Sequence, residues 1–191
     1  MKQFGFAFLI LILAACSRSE SETASTTDTG TATAPAESTA PASDTASVPS
    51  SDLAFATTAS MANMYEITAS QLALQKATGS TYKEFAQTMI TQHTEIGESY
   101  KPIAEKQGLP MPAALEGEFK TLYDALVSAQ AGAAFDALYR QQMIDTHTTA
   151  LTLFQNEAAS GQDPELKAFA AKWVSTVAHH LEMANALPTA Q

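Results

Sequence analysis

The sequence predicts an all-α protein: an up-down four-helix bundle with a short extra helix between its second and third long helices, preceded by a disordered tether. Three observations carry this. Ala, Leu, Gln, Glu and Met are abundant, while Gly and Pro fall at a few punctuation points. Four long segments carry apolar residues at alternating spacings of four and three, the signature of one buried helix face. No segment alternates with the period of two that a half-buried strand requires.

The elements follow in order. The first sixteen residues, MKQFGFAFLILILAAC, hold one Lys, an apolar run from Phe4 to Leu13, and a small-residue ending. The run is too short to span a bilayer, so residues 1–15 read as a secretory signal peptide. Leu13-Ala14-Ala15-Cys16 resembles a bacterial lipobox, which makes Cys16 the lipidated mature N-terminus. Cys16 is the only cysteine, so no intrachain disulfide can form. The chain is therefore expected to be exported and held at the membrane by its lipid, facing the periplasm. Ser17, in place of Asp, points to the outer membrane rather than the inner one.

Residues 16–51 form the tether. Beyond Cys16 they are almost wholly Ser, Thr, Ala, Pro, Asp and Glu, with Val48 the only large aliphatic before Leu53. Such a segment has nothing to bury. The folded domain is residues 52–190. Its first helix runs from about Asp52, the expected N-cap, to Thr78, where Gly79 stops it. The second begins with Ser80 or Thr81 as cap and runs to Gln107, with Pro102 inside it and GLPMP after it. A shorter helix covers about Leu115 to Gln130. The third long helix spans Ala133 to Ser160. The fourth opens with Asp163-Pro164, Pro standing in the first turn, and ends near Leu187.

The composition excludes several functions. Asp and Glu number 20 against 10 Lys and Arg, and the net charge of −10 suits neither nucleic acid nor an anionic lipid surface. There is no phosphate-binding glycine loop, no CxxC pair and no Gly-x-Ser-x-Gly elbow. No substrate and no protein partner is named by the sequence.

The chemistry lies in the seams. FAQTMITQH (85–93) and YRQQMIDTH (139–147) repeat one pattern, an aromatic residue, a Gln two positions on, then Met-Ile-x-x-His. The first seam is Phe55, Ala59, Ala62, Glu66, Ala69 and Ala73. The second is Tyr82, Ala86, Met89, His93, Ile96 and Tyr100. The third is Phe135, Tyr139, Met143, His147, Ala150 and Phe154. The fourth is Leu166, Ala170, Trp173, Val177, His180, Ala184 and Leu187. Each apolar stripe thus holds one ionisable residue: Glu66, His93, His147 or His180. Each stands 12 to 16 residues past its helix start, so antiparallel helices bring all four to one central layer.

Burying one carboxylate and three imidazoles is costly unless they are paired or coordinated. Two readings stand. In one, the four are ligands of a transition metal, Zn, Cu or Fe. In the other, they form a hydrogen-bonded polar core in a structural or protein-binding bundle. Met89 and Met143, one turn before the repeated histidines, are core residues or soft ligands. Asp136 and Asp145 are placed to cap or to form outer hydrogen bonds. His179 lies beside His180 at the seam edge.

The folded segment resembles the DUF4142 family, exported bacterial proteins of unknown function with a ferritin-like bundle. FATTASMANMYEITASQLALQKA, YKEFAQTMITQH, FDALYRQQMIDTHTTALTLFQNEA and LKAFAAKWVSTVAHHLEMANAL carry the resemblance. It implies Glu66, His93, Asp136, His147 and His180 as motif positions. Where that pattern often places an acidic residue before the first two histidines, this chain has Gln92 and Thr146. Ferritin-type di-iron centres use Glu-x-x-His, and no Glu stands three residues before His93, His147 or His180. Metal binding or storage without assigned turnover is the expected function, with a metal-dependent redox enzyme a third class.

Overall fold

The computed structural model describes residues 47–189. The signal-like segment, Cys16 and the tether as far as residue 46 lie outside the described residues. Five helices and no strand are found among the described residues: α1 Ser50–Lys76, α2 Ser80–Gln107, α3 Gly117–Ser128, α4 Ala133–Ser160 and α5 Pro164–Ala186. Folded structure begins slightly before residue 52, since Val48 already packs against the apolar core.

The four long helices bury the expected faces. Every residue of the second, third and fourth seams is buried, and in the first only Ala59 remains half-buried. α1 pairs with α2 and α4 with α5, while α1 also meets α4 and α2 meets α5. Every one of these pairs is antiparallel. Tyr65 donates to Gln142 at 2.6 Å and Ser70 meets Tyr139 at 2.8 Å, so α1 and α4 run in opposite senses. Trp173 Nε1 donates to Ser99 at 3.0 Å and His180 meets Gln92, which fixes the same relation for α5 and α2.

This arrangement forces a long connection. α2 ends where Lys106 and Gln107 reach Glu165, at the start of α5. α4 begins at the opposite end, where Gly132 N–H donates to the Lys76 carbonyl at 3.1 Å. The chain between them must travel the length of the bundle, the single-crossover topology of ferritin-like folds. α3 makes much of that journey, lying on α1 and α4. Its last turn is held by Lys76, whose Nζ donates to the carbonyls of Leu126 (3.0 Å), Val127 (2.7 Å) and Ala129. These carbonyls lack intrahelical partners, and a cation there also meets the negative end of the helix dipole. Arg140 does the same for α5, donating to the Leu187 and Asn185 carbonyls at 3.0 Å each.

The expected caps of two helices differ. Asp52 does not cap α1; it lies buried in the first turn and accepts the Gln162 N–H at 2.9 Å and the Asp163 N–H. Tertiary packing brings the α4–α5 turn, with its unpaired N–H groups, within its reach. Neither Ser80 nor Thr81 caps α2, whose N-cap position is Gly79. Asp163 caps α5, accepting from Glu165 N (3.0 Å) and Leu166 N (2.9 Å), and Pro164 stands in the first turn as expected. Gly108 takes the left-handed conformation that closes α2, at φ 66°. Pro102 sits on the exposed side of α2, and the helix runs through it to Gln107.

The core divides in two. One apolar cluster gathers Tyr65, Phe85, Met89, Phe135, Tyr139 and Met143 toward the α4 N-terminus. The other gathers Phe55, Ile96, Tyr100, Phe154, Phe169 and Trp173 toward the opposite end. The layer of Glu66, His93, His147 and His180 comes between them along every helix.

Candidate metal centre

One ionisable side chain from each long helix enters this layer, and none is more than 3% exposed. The three imidazoles lie edge to face or tilted against one another. Ring centroids are 5.5 Å apart for His93 and His147, 5.0 Å for His93 and His180, and 5.3 Å for His147 and His180.

Each ring has one nitrogen occupied. His147 Nδ1 lies 2.8 Å from the Met143 carbonyl one turn back in α4. A carbonyl can only accept, so Nδ1 carries a proton, and in the neutral tautomer this selects, Nε2 holds the lone pair. His93 Nδ1 lies 3.0 Å from Asn63 Oδ1 and 3.2 Å from Glu66 Oε2. His180 Nε2 makes a short hydrogen bond to Gln92 Oε1. The remaining nitrogens, His93 Nε2, His147 Nε2 and His180 Nδ1, are buried without any hydrogen-bond partner. A donor nitrogen from each of the three residues lies within 4.8 Å of the other two.

Burial holds the His93 and His180 rings neutral. It drives the His93 pKa well below its ordinary 6.5, and the imidazoles of His147 and His180 add to the effect. It pushes His180 down to about 3, with His147 and His179 contributing. Glu66 moves the other way: burial raises it, partly offset by His147 and by the Thr146 hydroxyl. The chemistry is that of three buried imidazoles, each with one nitrogen hydrogen-bonded and the other turned to no partner in the protein, which is the arrangement a metal ligand set needs.

The predicted residues separate by role. His93, His147 and His180 come together. Glu66 shares their layer but is not one of the convergent donors. Its Oε2 and Oε1 face the Nδ1 edges of His93 and His147, at 3.2 and 3.5 Å, so it acts behind the rings. Met89 and Met143 belong with their side chains to the apolar cluster, and Met143 serves the site through its backbone carbonyl. Asp136 stands outside the site, in the first turn of α4, about 16 Å along the helix from His147. It accepts from Thr78 at 3.1 Å. His179 is 61% exposed and faces Glu182 at 3.6 Å. Asp145 is exposed and accepts from Gln141 at 2.9 Å.

Two outer partners were not singled out from the sequence. Asn63, one turn before Glu66, needs room that Gly97 supplies: a Cβ there would lie 3.2 Å from the Asn63 amide nitrogen. The signal was a glycine inside α2 one turn after His93. Gln92, noticed only as a departure from a family pattern, orients His180. Gln92→Leu leaves the His180 N–H without an acceptor and is expected to weaken metal affinity about 10- to 100-fold. Gln92→Glu, which restores an acceptor, should recover most of that loss in the same titration.

The fold and this histidine layer define an all-α helical bundle with a buried three-imidazole cluster. The chain belongs to the DUF4142 family, a domain of unknown function, matched over residues 36–187. Its fold is similar to that of CopM in the Cu(II)-bound form, at 23% identity and a TM-score of 0.57, covering 70% of this chain and 93% of that one. CopM in the Cu(I)-bound form gives 24% identity and a TM-score of 0.56, with 70% and 92% covered. A DUF305 fragment from Deinococcus radiodurans gives a TM-score of 0.62 at 13% identity, with 73% and 95% covered. The sequence has no significant match among functionally curated proteins.

Proposed function

We propose that the domain binds a transition-metal ion, copper first among them, through His93 Nε2, His147 Nε2 and His180 Nδ1. One observation carries this reading: three buried nitrogens, each orphaned, on rings whose other nitrogens are all hydrogen-bonded. A polar core built only for structure would leave three lone pairs unpaired, at a cost on the order of 1–3 kcal/mol each. A metal removes that cost. Imidazole suits Cu and Zn, and copper binds such donor sets more tightly than zinc. Likeness in fold to CopM, which is known with Cu(I), Cu(II) and Ag bound, supports the choice of metal. Bound nitrogens at about 2.0–2.1 Å from an ion sit about 3.3–3.5 Å apart.

The test is calorimetric titration of the domain with Cu(I), Cu²⁺, Zn²⁺ and Fe²⁺. Binding near one equivalent, tightest for copper, is the expected result. No binding tighter than about 10⁻⁴ M for any of them would return the layer to the rival reading, a hydrogen-bonded polar core in a structural bundle.

The proposal includes a place. Leu13-Ala14-Ala15-Cys16 and the Ser17 that follows support export and lipid anchoring at the outer membrane, so the metal would be handled in the cell envelope. No helix among the described residues is long and apolar enough to cross a membrane. Mass spectrometry of the mature protein should find an acylated N-terminal Cys16, absent in Cys16→Ser. A mature N-terminus elsewhere, without acyl mass, removes the anchor.

A further inference from the structure

A cavity of about 200 Å³ opens between α1, α4 and the first turn of α3. Its exposed lining includes Thr58, Glu118, Asp145 and Thr149. Its buried lining includes Glu66, His93 and His147. It therefore joins the surface to the histidine layer. Every full charge on its wall is acidic, and no Lys or Arg lines it.

The volume limits what enters. Drug-sized organic ligands occupy sites of about 300–1000 Å³. At about 30 Å³ per water, this cavity holds an ion with its first hydration shell. The charge limits it further, since an acidic, low-dielectric channel concentrates cations and repels anions. At the inner end Glu66 Oε1 is buried and has no hydrogen-bond partner. That oxygen lines the cavity 3.5 Å from His147 Nδ1, and it is the first buried oxygen that a cation shedding water would meet.

We propose that this cavity is the route by which the metal ion enters and leaves, from Glu118 and Asp145 at the surface to Glu66 and then the imidazoles. The route rests on the metal-binding reading. It predicts kinetics rather than affinity: a barrier on the path slows loading and release together and leaves their ratio unchanged. A shallower depression on the α2–α5 side, lined by Gln92, Thr176 and His179, is the competing way in.

The experiment uses the mature protein and Cu²⁺ delivered from a weak glycine complex. Quenching of Trp173, the only tryptophan, reports loading in a stopped-flow instrument, and a strong chelator drives release. Thr58→Phe and Thr149→Phe narrow the mouth; Ser175→Phe does the same on the α2–α5 side. The mouth variants are expected to slow loading and release by at least about 10-fold each, with equilibrium affinity changed by less than about 2-fold. Glu118→Gln with Asp145→Asn should slow loading about 3- to 10-fold and flatten its dependence on salt. Plug-insensitive rates in a protein that loads normally overturn the route alone. Slowing by Ser175→Phe with none from the mouth variants moves the entry to the other face and overturns it too. A parent protein that takes up no copper overturns the metal reading and the route with it.

Discussion

His147→Ala is expected to lower copper affinity by more than about 100-fold. His147 is fully buried, its Nδ1 is committed to the Met143 carbonyl, and its Nε2 has nothing to bind in the protein. Alanine removes a donor atom outright, a larger loss than the 10- to 100-fold seen when an outer partner of a ligand is removed. His93→Ala and His180→Ala should behave alike, because each supplies one of the three convergent nitrogens. His179→Ala is the control. It sits next to His180 in sequence, yet its ring is exposed and points toward Glu182. Its affinity should stay within about 2-fold of the parent. Circular dichroism must show retained helix in each variant, since truncation also leaves a void between the two apolar clusters. Tight copper binding in His147→Ala, or an equal loss in His179→Ala, would place the metal somewhere other than the central layer.

The layer was legible because helix geometry is rigid. A seam fixes which face is buried, and 1.5 Å per residue fixes depth, so His93, His147 and His180 had to meet if the helices packed at similar height. The repeated Met-Ile-x-x-His gave the same register twice. Seam and depth do not fix ring orientation, and Glu66 shows the consequence. It lies in the layer as expected, yet it faces the protonated edges of two rings instead of their lone pairs. Asn63 and Gln92 were harder still, because each stands off its apolar stripe and matters only through a partner on another helix. The same holds for Asp52, Lys76 and Arg140, whose targets lie 45 to 111 residues away in sequence. Local rules place a cap on its own helix, whereas packing decided these. The direction of α4 departs from the simple up-down order that the sequence predicted, since α4 runs antiparallel to α1 and so parallel to α2. A connection of 25 residues can return beside α2 or run the length of the bundle, and only the pairing of α1 with α4 shows which.

Acid is expected to destabilise the metal-free domain well before its surface carboxylates titrate. An unfolded histidine titrates near 6.5, while folded His93 lies well below that and folded His180 at about 3. As pH falls below about 6.5 the unfolded chain takes up protons that these two folded imidazoles refuse. Their contribution to stability is therefore full above 6.5 and lost as pH falls toward the folded values. Each adds a slope of up to about 1.4 kcal/mol per pH unit. Glu66 opposes them. Its folded pKa is raised above 4.5, so the folded state binds that proton first and regains stability as pH falls through the raised value. Two imidazoles against one carboxyl leave a net loss between pH 6.5 and 4.5. Urea midpoints of the apoprotein should fall across that window, and His93→Gln, which cannot titrate, should flatten the fall. Copper should add stability at pH 7 by binding only the folded state, about 4 kcal/mol at a thousandfold excess over Kd. Protons compete for the same lone pairs, so this increment should shrink as the pH drops. Midpoints constant from pH 7 to 4.5, or rising, would mean that the three rings are hydrated in solution and that the dry layer, with its free nitrogens, does not persist.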